Sequence, residues 1–292
     1  MAGNTIAITG ASGELGRRVV PKLQAALPDA KLRLLIRKPA SVAHVQNVDV
    51  READYDKPET LDAALAGVDT LLFISPNDLE RRIEQGKNVV AAAKKAGVQR
   101  IVYTSLLKTD VSPLYLAEPH RQTEAAIQAA GVKWTFLRNG WYFENQAPAI
   151  DSAVATGTIL GSAGEGKFAA ATRDDFAAAA VAVLAQSGQH DGKIYELVGD
   201  VPYSYAELAA EISKQSGKPV TYNNVSKDDH IKALSAFLPP KVIDIFVQAD
   251  EAAAQGYLVH DGHQLAQLIG RPTTTLAAYV AEALAQAAGK KQ

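Results

Sequence analysis

Residues 5–16 read Thr-Ile-Ala-Ile-Thr-Gly-Ala-Ser-Gly-Glu-Leu-Gly, an apolar run followed by glycines at 10, 13 and 16. Gly10 permits a tight turn from strand to helix, and Gly13 lets backbone N–H groups approach an anion. Gly16 lets the following helix lie close to the sheet, while the helix N-terminus adds unpaired donors and partial positive charge. An ordinary glycine-rich turn could carry the same spacing. The apolar run before it and the helical pattern after it favour a pyrophosphate cradle for a dinucleotide.

The end of the next strand chooses the dinucleotide. A carboxylate about 20 residues beyond the loop would hold the ribose of NAD. Here the run Leu32 to Ile36 ends instead in Arg37-Lys38-Pro39. Two cations at that place favour a 2′-phosphate, and so NADPH over NADH; the competing reading is a solvated basic turn.

Short-chain dehydrogenases commonly place Tyr-x-x-x-Lys on the helix after the fifth strand, where the Tyr protonates the nascent alkoxide. No tyrosine of this chain has a lysine four residues later: Leu107 follows Tyr103, Pro119 follows Tyr115 and Gln146 follows Tyr142. An alkoxide is so strong a base that a positioned acid is nearly required. A quinone that accepts hydride becomes a phenolate-like anion of conjugate-acid pKa near ~10, for which a weak donor or water suffices. A triarylmethyl cation that accepts hydride needs no proton. The missing dyad therefore points to electron-poor conjugated acceptors, or to a protein that binds the dinucleotide without turning it over. Tyr103 and Ser105 are candidates to orient an acceptor, and His120 is a candidate weak acid because histidine titrates near neutrality. Each also has a structural reading, as a core or capping residue.

These residues need elements to position them. Apolar runs at Ile6–Thr9, Leu32–Ile36, Val48–Arg51, Thr70–Ile74, Arg100–Thr104 and Trp134–Leu137 alternate with helical patterns at Glu14–Leu27, Pro58–Leu65, Leu79–Ala96 and Ala117–Ala130. Parallel strands need such crossovers, so the first half is an α/β, doubly wound parallel (Rossmann) sheet. Pro21 falls inside the first helix, where it removes a hydrogen bond and bends the axis. The second half is irregular: helices at Arg173–Ala185, after Ser204 and at Leu276–Ala288, with strands at Ile194–Val198 and Val220–Tyr222. It reads as a smaller C-terminal α/β cap interleaved with the sheet edge, giving residues 1–150 to the cofactor domain and 151–292 to the cap.

Composition excludes several classes. Hydrophobic residues make up 47% and charged residues 21%, as in ordinary globular chains, and cysteine is absent, which removes disulfides and thiolate metal sites. The formal charge of −2 supplies no basic field for nucleic acid. No apolar run approaches the ~18 residues of a membrane span and the N-terminal residues lack a signal-peptide pattern, so the expectation is a cytoplasmic protein. His260 and His263 lack a converging carboxylate framework, and no metal site is expected. The Ala-rich stretches Phe176–Ala185 and Leu276–Ala288 admit close packing, within the chain or in a homodimer.

Several segments together resemble the NmrA-like group of atypical short-chain dehydrogenases. They are the glycine loop, Leu35-Ile36-Arg37-Lys38-Pro39-Ala40, Ala53-Asp54-Tyr55, Arg100 to Leu107, Leu137-Arg138-Asn139-Gly140-Trp141-Tyr142, Gly161 to Lys167, Ala171-Thr172-Arg173 and Arg271 to Leu276. The resemblance implies that Thr9, Gly10, Ala11, Ser12, Gly13 and Glu14, with Leu15 and Gly16 behind them, wrap the pyrophosphate and that Arg37 takes the 2′-phosphate. It also implies that Ile74, Ser75 and Pro76 border the cofactor. Asn139, Gly140, Trp141, Tyr142, Phe143, Glu144 and Asn145 then lie beside the nicotinamide, with Arg173 a further contact. Trp141, Tyr142 and Phe143 offer flat surfaces to an aromatic acceptor, or else pack the cap. The function so implied is an NADPH-dependent reductase of a quinone or similar conjugated acceptor. The alternatives are a non-catalytic NADP(H)-sensing regulator, and a metabolite reductase that uses His120 as its acid.

Overall fold

All six apolar runs of the first half are strands in the computed structural model, which describes residues 4–186 and 188–289. The order is β1 (Thr5–Thr9), α1 (Gly16–Ala26), β2 (Lys31–Ile36), β3 (Asp49–Glu52), α2 (Pro58–Leu65), β4 (Thr70–Ile74), α3 (Arg82–Lys95), β5 (Arg100–Leu106), α4 (Ala117–Ala129) and β6 (Lys133–Asn139). Then follow α5 (Ala147–Thr156), β7 (Thr158–Gly161), β8 (Lys167–Phe168), α6 (Arg173–Ala185), β9 (Lys193–Leu197), β10 (Tyr203–Ser204), α7 (Tyr205–Ser216), β11 (Thr221–Asn224), α8 (Lys227–Leu234), α9 (Pro240–Ala254), α10 (Gln264–Ile269) and α11 (Leu276–Gly289).

The chain divides into two units. The first takes the residues up to Asp110, Leu116–Asn139 and Arg173–Tyr195; the second takes Val111–Tyr115, Gly140–Thr172 and the residues from Glu196 on. The sequence suggests a cofactor domain over 1–150 and a cap over 151–292 interleaved with the sheet edge; in the structure α6 and Lys193–Tyr195 of β9 lie in the first unit, where α6 packs against α1. Alternate sheet faces explain why that unit needs helices on both sides. Ala7, Leu35, Leu71, Phe73, Ile101, Tyr103 and Phe136 form one buried cluster with Leu61, Leu65, Val89, Val90 and Ile127 of α2, α3 and α4. Ile6 and Ile8 alternate with Ala7 and therefore face the opposite side.

The sheet has the order β3-β2-β1-β4-β5-β6-β9, a Rossmann sheet. The pairs β1–β2, β2–β3, β1–β4, β4–β5 and β5–β6 are all parallel. Strand order reverses between β1 and β4, and ligands of open parallel sheets bind at the carboxyl ends beside that reversal. Pro21 lies on the exposed face of α1, which runs through it, so the carbonyl it leaves without a donor is open to water.

In the second unit β7 pairs with β11 in parallel and β8 with β10 antiparallel. Its α7 opens with a full capping box, Ser204 Oγ accepting from Glu207 N while the Glu207 carboxylate accepts from Ser204 N. Asp250 of α9 is fully buried and accepts from Tyr205 OH at 2.8 Å and from Ser162 N at 2.7 Å, with His230 Nδ1 3.2 Å away.

Candidate cofactor site and the loop after the fifth strand

The glycine loop leaves β1 as its sequence requires. Gly10 has φ +61°, and Gly13 N donates to Gly10 O at 2.9 Å. A Cβ at Gly16 would stand 2.3 Å from Gly10 O and 2.6 Å from Ala11 Cα, so the turn has no space for a side chain there. A Cβ at Gly13 would meet the same carbonyl at 3.2 Å. Ser12, Gly13 and Glu14 are exposed, whereas Leu15 and Gly16 are buried. A loop this close to its own backbone, opening a helix at the reversal point, fits a pyrophosphate.

Glu14 carries the charge of the loop. Its carboxylate meets Arg17 Nη2 at 2.5 Å and Arg18 Nη1 at 3.0 Å. Partial burial pulls its pKa upward, but the hydrogen bond from Arg18 and the fields of Arg17, Arg18 and Arg173 outweigh this and hold it below the usual carboxylate value. Arg173, the first residue of α6, is thus close enough to be felt at the loop, and Lys22 to Asp174 at 2.9 Å ties α1 to α6. Arg37 is exposed, two residues beyond the Leu35 that pairs with Thr9.

On β4, Ile74 N donates to Thr9 Oγ1 at 3.0 Å and Tyr55 OH donates to Ile74 O at 3.1 Å. Ser75 N donates to Thr104 Oγ1 at 3.0 Å, and Pro76 is buried behind it. Tyr55 gave no functional signal in the sequence beyond its place in a family segment, yet its ring and hydroxyl fix the β4 end beside Gly10. Only its distance from the loop along the chain hid this.

The three candidates on β5 and α4 are buried. Tyr103 is 0% exposed, its hydroxyl lies 2.8 Å from His120 Nδ1, and its ring sits 5.0 Å from that of Phe73. Burial pushes the Tyr103 hydroxyl up, and burial together with the charge of Arg82 lowers His120 to about 3. His120 is therefore held in its neutral form, paired with the Tyr103 hydroxyl. Ser105 Oγ donates to Glu124 Oε1 at 2.5 Å. Arg138 clasps the same carboxylate in a fork, Nε to Oε1 at 3.0 Å and Nη2 to Oε2 at 2.8 Å, and its Nη1 reaches Asp110 at 3.1 Å. This buried clasp carried no sequence signal.

In the second unit residues 140–145 form a strap. Gly140 N donates to Leu197 O at 2.8 Å, Ala171 N to Trp141 O at 3.1 Å and Phe143 N to Ala171 O at 3.0 Å. Phe143 stacks on Tyr203 and Tyr279, with centroids 5.5 and 4.8 Å away, so its ring surface is engaged in the core of that unit. Trp141 is 8% exposed, and Phe168 and Phe246 stand near it; Tyr142, Glu144 and Asn145 are half-buried. Among the described residues no cluster of His, Asp or Glu could hold a metal ion, and no helix is long and apolar enough to cross a membrane.

The sequence profile of the NmrA-like family matches residues 2–264. The chain belongs to the NmrA-like family. Within it, quinone oxidoreductase 2 of Escherichia coli (strain K12) is 46% identical over 275 residues, covering 93% of this chain and 96% of the relative. The solved structure of an NADPH-dependent quinone oxidoreductase from Escherichia coli complexed with NADPH matches with a TM-score of 0.92 and 44% identity, over 96% of this chain and 99% of that one. The triphenylmethane reductase of Citrobacter sp. complexed with NADP(H) matches with a TM-score of 0.90 and 36% identity, over 96% and 99%. The family and the Rossmann sheet expected from the sequence are both found.

Proposed function

We propose that this NmrA-like protein is an NADPH-dependent reductase that passes hydride to a quinone or a similarly conjugated aromatic acceptor. The observation that carries this reading is the match, over nearly the whole of both chains, to a quinone oxidoreductase whose structure holds NADPH. The glycine loop and Arg37 are the residues we assign to the pyrophosphate and the 2′-phosphate. Asn139–Asn145, Ser75 and Arg173 are assigned to the rest of the cofactor. When bound, NADPH supplies the hydride; the chain's own residues bind, orient and exclude water.

The state of His120 favours this reading over a metabolite reductase, since a buried imidazole held neutral carries only its N–H, a far weaker acid than an imidazolium, and its Nδ1 is paired with the Tyr103 hydroxyl. The same proposal takes the compartment to be the cytoplasm, from the cysteine-free composition, and the assembly to be a homodimer, from the exposed alanines of α11. Sedimentation tests the assembly.

The deciding experiment mixes the purified protein with NADPH and a panel of quinones and cationic dyes while nicotinamide absorbance is followed, with NADH in parallel. Turnover with NADPH preference supports the reductase. Tight NADPH binding with no oxidation by any acceptor would instead select the NADP(H)-sensing regulator. In the Arg37→Ala variant NADPH binding should weaken by about 1.5–3 kcal/mol, the range for hydrogen bonds to a charged group, with NADH nearly unchanged. Equal losses for both dinucleotides would remove Arg37 from the 2′-phosphate site.

A further inference from the structure

We propose that the Glu14 carboxylate is a resident counter-anion of the pyrophosphate cradle: it occupies Arg17 and Arg18, competes with the dinucleotide's pyrophosphate for them, and so hastens exchange of the dinucleotide. The inference rests on the reading of the glycine loop as the cradle of NADPH.

Helix α1 opens at Gly16, and its first turn carries no acidic residue but two arginines, Arg17 and Arg18. The N-terminus is the positive end of a helix, so cations there are unfavourable and an anion beside them is favoured. Glu14, two residues before the helix, is that anion. Its carboxylate meets Arg17 Nη2 at 2.5 Å and Arg18 Nη1 at 3.0 Å. Arg18 Nη1 also donates to the main-chain carbonyl of Glu14 at 2.6 Å. That bond folds the guanidinium back onto the backbone of the loop, so both cations gather at the cradle instead of extending away from it.

The chemistry of the cradle sets up a competition. Backbone N–H groups and the helix end favour negative charge at this place, and a dinucleotide brings two phosphate charges to a loop that already carries a carboxylate. Like charges repel, and guanidinium groups bind phosphate as readily as carboxylate. Partial burial pulls the Glu14 pKa upward, yet the bond from Arg18 and the fields of Arg17, Arg18 and Arg173 keep it below the usual value, so the carboxylate is ionised at neutral pH. The side chains of Glu14 and Arg17 are more than half exposed, and such a pair contributes little to folding. Its effect falls on binding. A reductase must release NADP+ after each hydride it passes on, and a weaker hold on the pyrophosphate hastens that release.

The test is Glu14→Gln, which keeps the shape of the side chain and removes its charge. Calorimetry would give Kd for NADPH, NADP+ and NADH at low salt and at about 0.5 M salt, and thermal melts of the protein without dinucleotide would follow folding. Binding should tighten by roughly three- to tenfold for all three, because all share the pyrophosphate, and the gain should shrink at high salt. Tm should be unchanged or slightly lower, whereas a merely structural role for Glu14 would lower Tm and affinity together. Adding Arg17→Gln and Arg18→Gln should remove the gain. With menadione as the quinone acceptor, KM for NADPH should fall and KM for menadione should stay as it is. An affinity unchanged or reduced in Glu14→Gln would overturn the proposal. So would a gain confined to NADPH, which would put the carboxylate at the 2′-phosphate. A wild-type protein that binds no dinucleotide would overturn instead the reading of the loop as a cradle, and one that binds them without reducing menadione would overturn the reductase reading alone.

Discussion

Arg138 and Glu124 are each more than nine-tenths buried, and each is the other's main counter-charge. Removing one partner of such a pair leaves a charge desolvated and unmatched, whereas replacing both by apolar groups need not. Arg138→Met should therefore destabilise the protein by about 3–5 kcal/mol in urea denaturation, and the double variant Arg138→Met with Glu124→Leu by less than the single one. Tyr103→Phe tests the neighbouring pair. It should cost about 1–3 kcal/mol of stability, because His120 Nδ1 loses its buried partner, and leave menadione turnover unchanged. A collapse of turnover at unchanged stability would make Tyr103 a reacting group after all. Arg37 could be put forward from the sequence because the end of a strand is a local feature, set by a few consecutive residues. Glu124 could not, since its partners lie 14 and 19 residues away and meet it only across two strands and a helix.

Several elements with a clear hydrophobic period were readable to within a residue or two. Thr70–Ile74, Pro58–Leu65 and Arg173–Ala185 have the bounds the pattern suggested. The two-residue strands β8 and β10 were not readable, because a pair of residues has no period, and α5 lies at Ala147–Thr156, where the pattern assigned no element. The glycines divide in the same way between local and tertiary reasons. Gly97 ends its helix with φ +75° and has nothing within 4 Å of an added Cβ, so only the backbone demands glycine. Gly16 has an ordinary φ and no space at all. Gly97→Ala should thus cost about 1–2 kcal/mol of stability with NADPH affinity intact. Gly16→Ala must move the cradle itself and should weaken NADPH binding by at least tenfold, about 1.4 kcal/mol. Titration calorimetry and thermal melts on the two variants separate the effects; the reverse pattern would place the pyrophosphate elsewhere.

For the whole molecule, the burial of His120 links stability to pH. Its native pKa of about 3 lies below the ordinary histidine value of 6.5, first because burial disfavours the imidazolium and then because Arg82 is nearby. Between these two values the unfolded chain binds a proton that the native protein excludes, so stability rises with pH across the window and is lost as pH falls from 6.5 toward 3. At pH 5 the loss relative to neutrality should be about 2 kcal/mol from this group alone. His190 is also shifted downward, mainly by burial, so it acts in the same direction. The variant His120→Gln isolates the share of His120. It should be less stable than wild type at neutral pH, where its amide fits the Tyr103 pocket poorly, yet should lose less stability on acidification. The two urea-denaturation curves of stability against pH should therefore converge between pH 7 and pH 5. Parallel curves would mean that His120 takes up its proton in the native protein as freely as in the unfolded chain, and would reopen it as an acid for the acceptor.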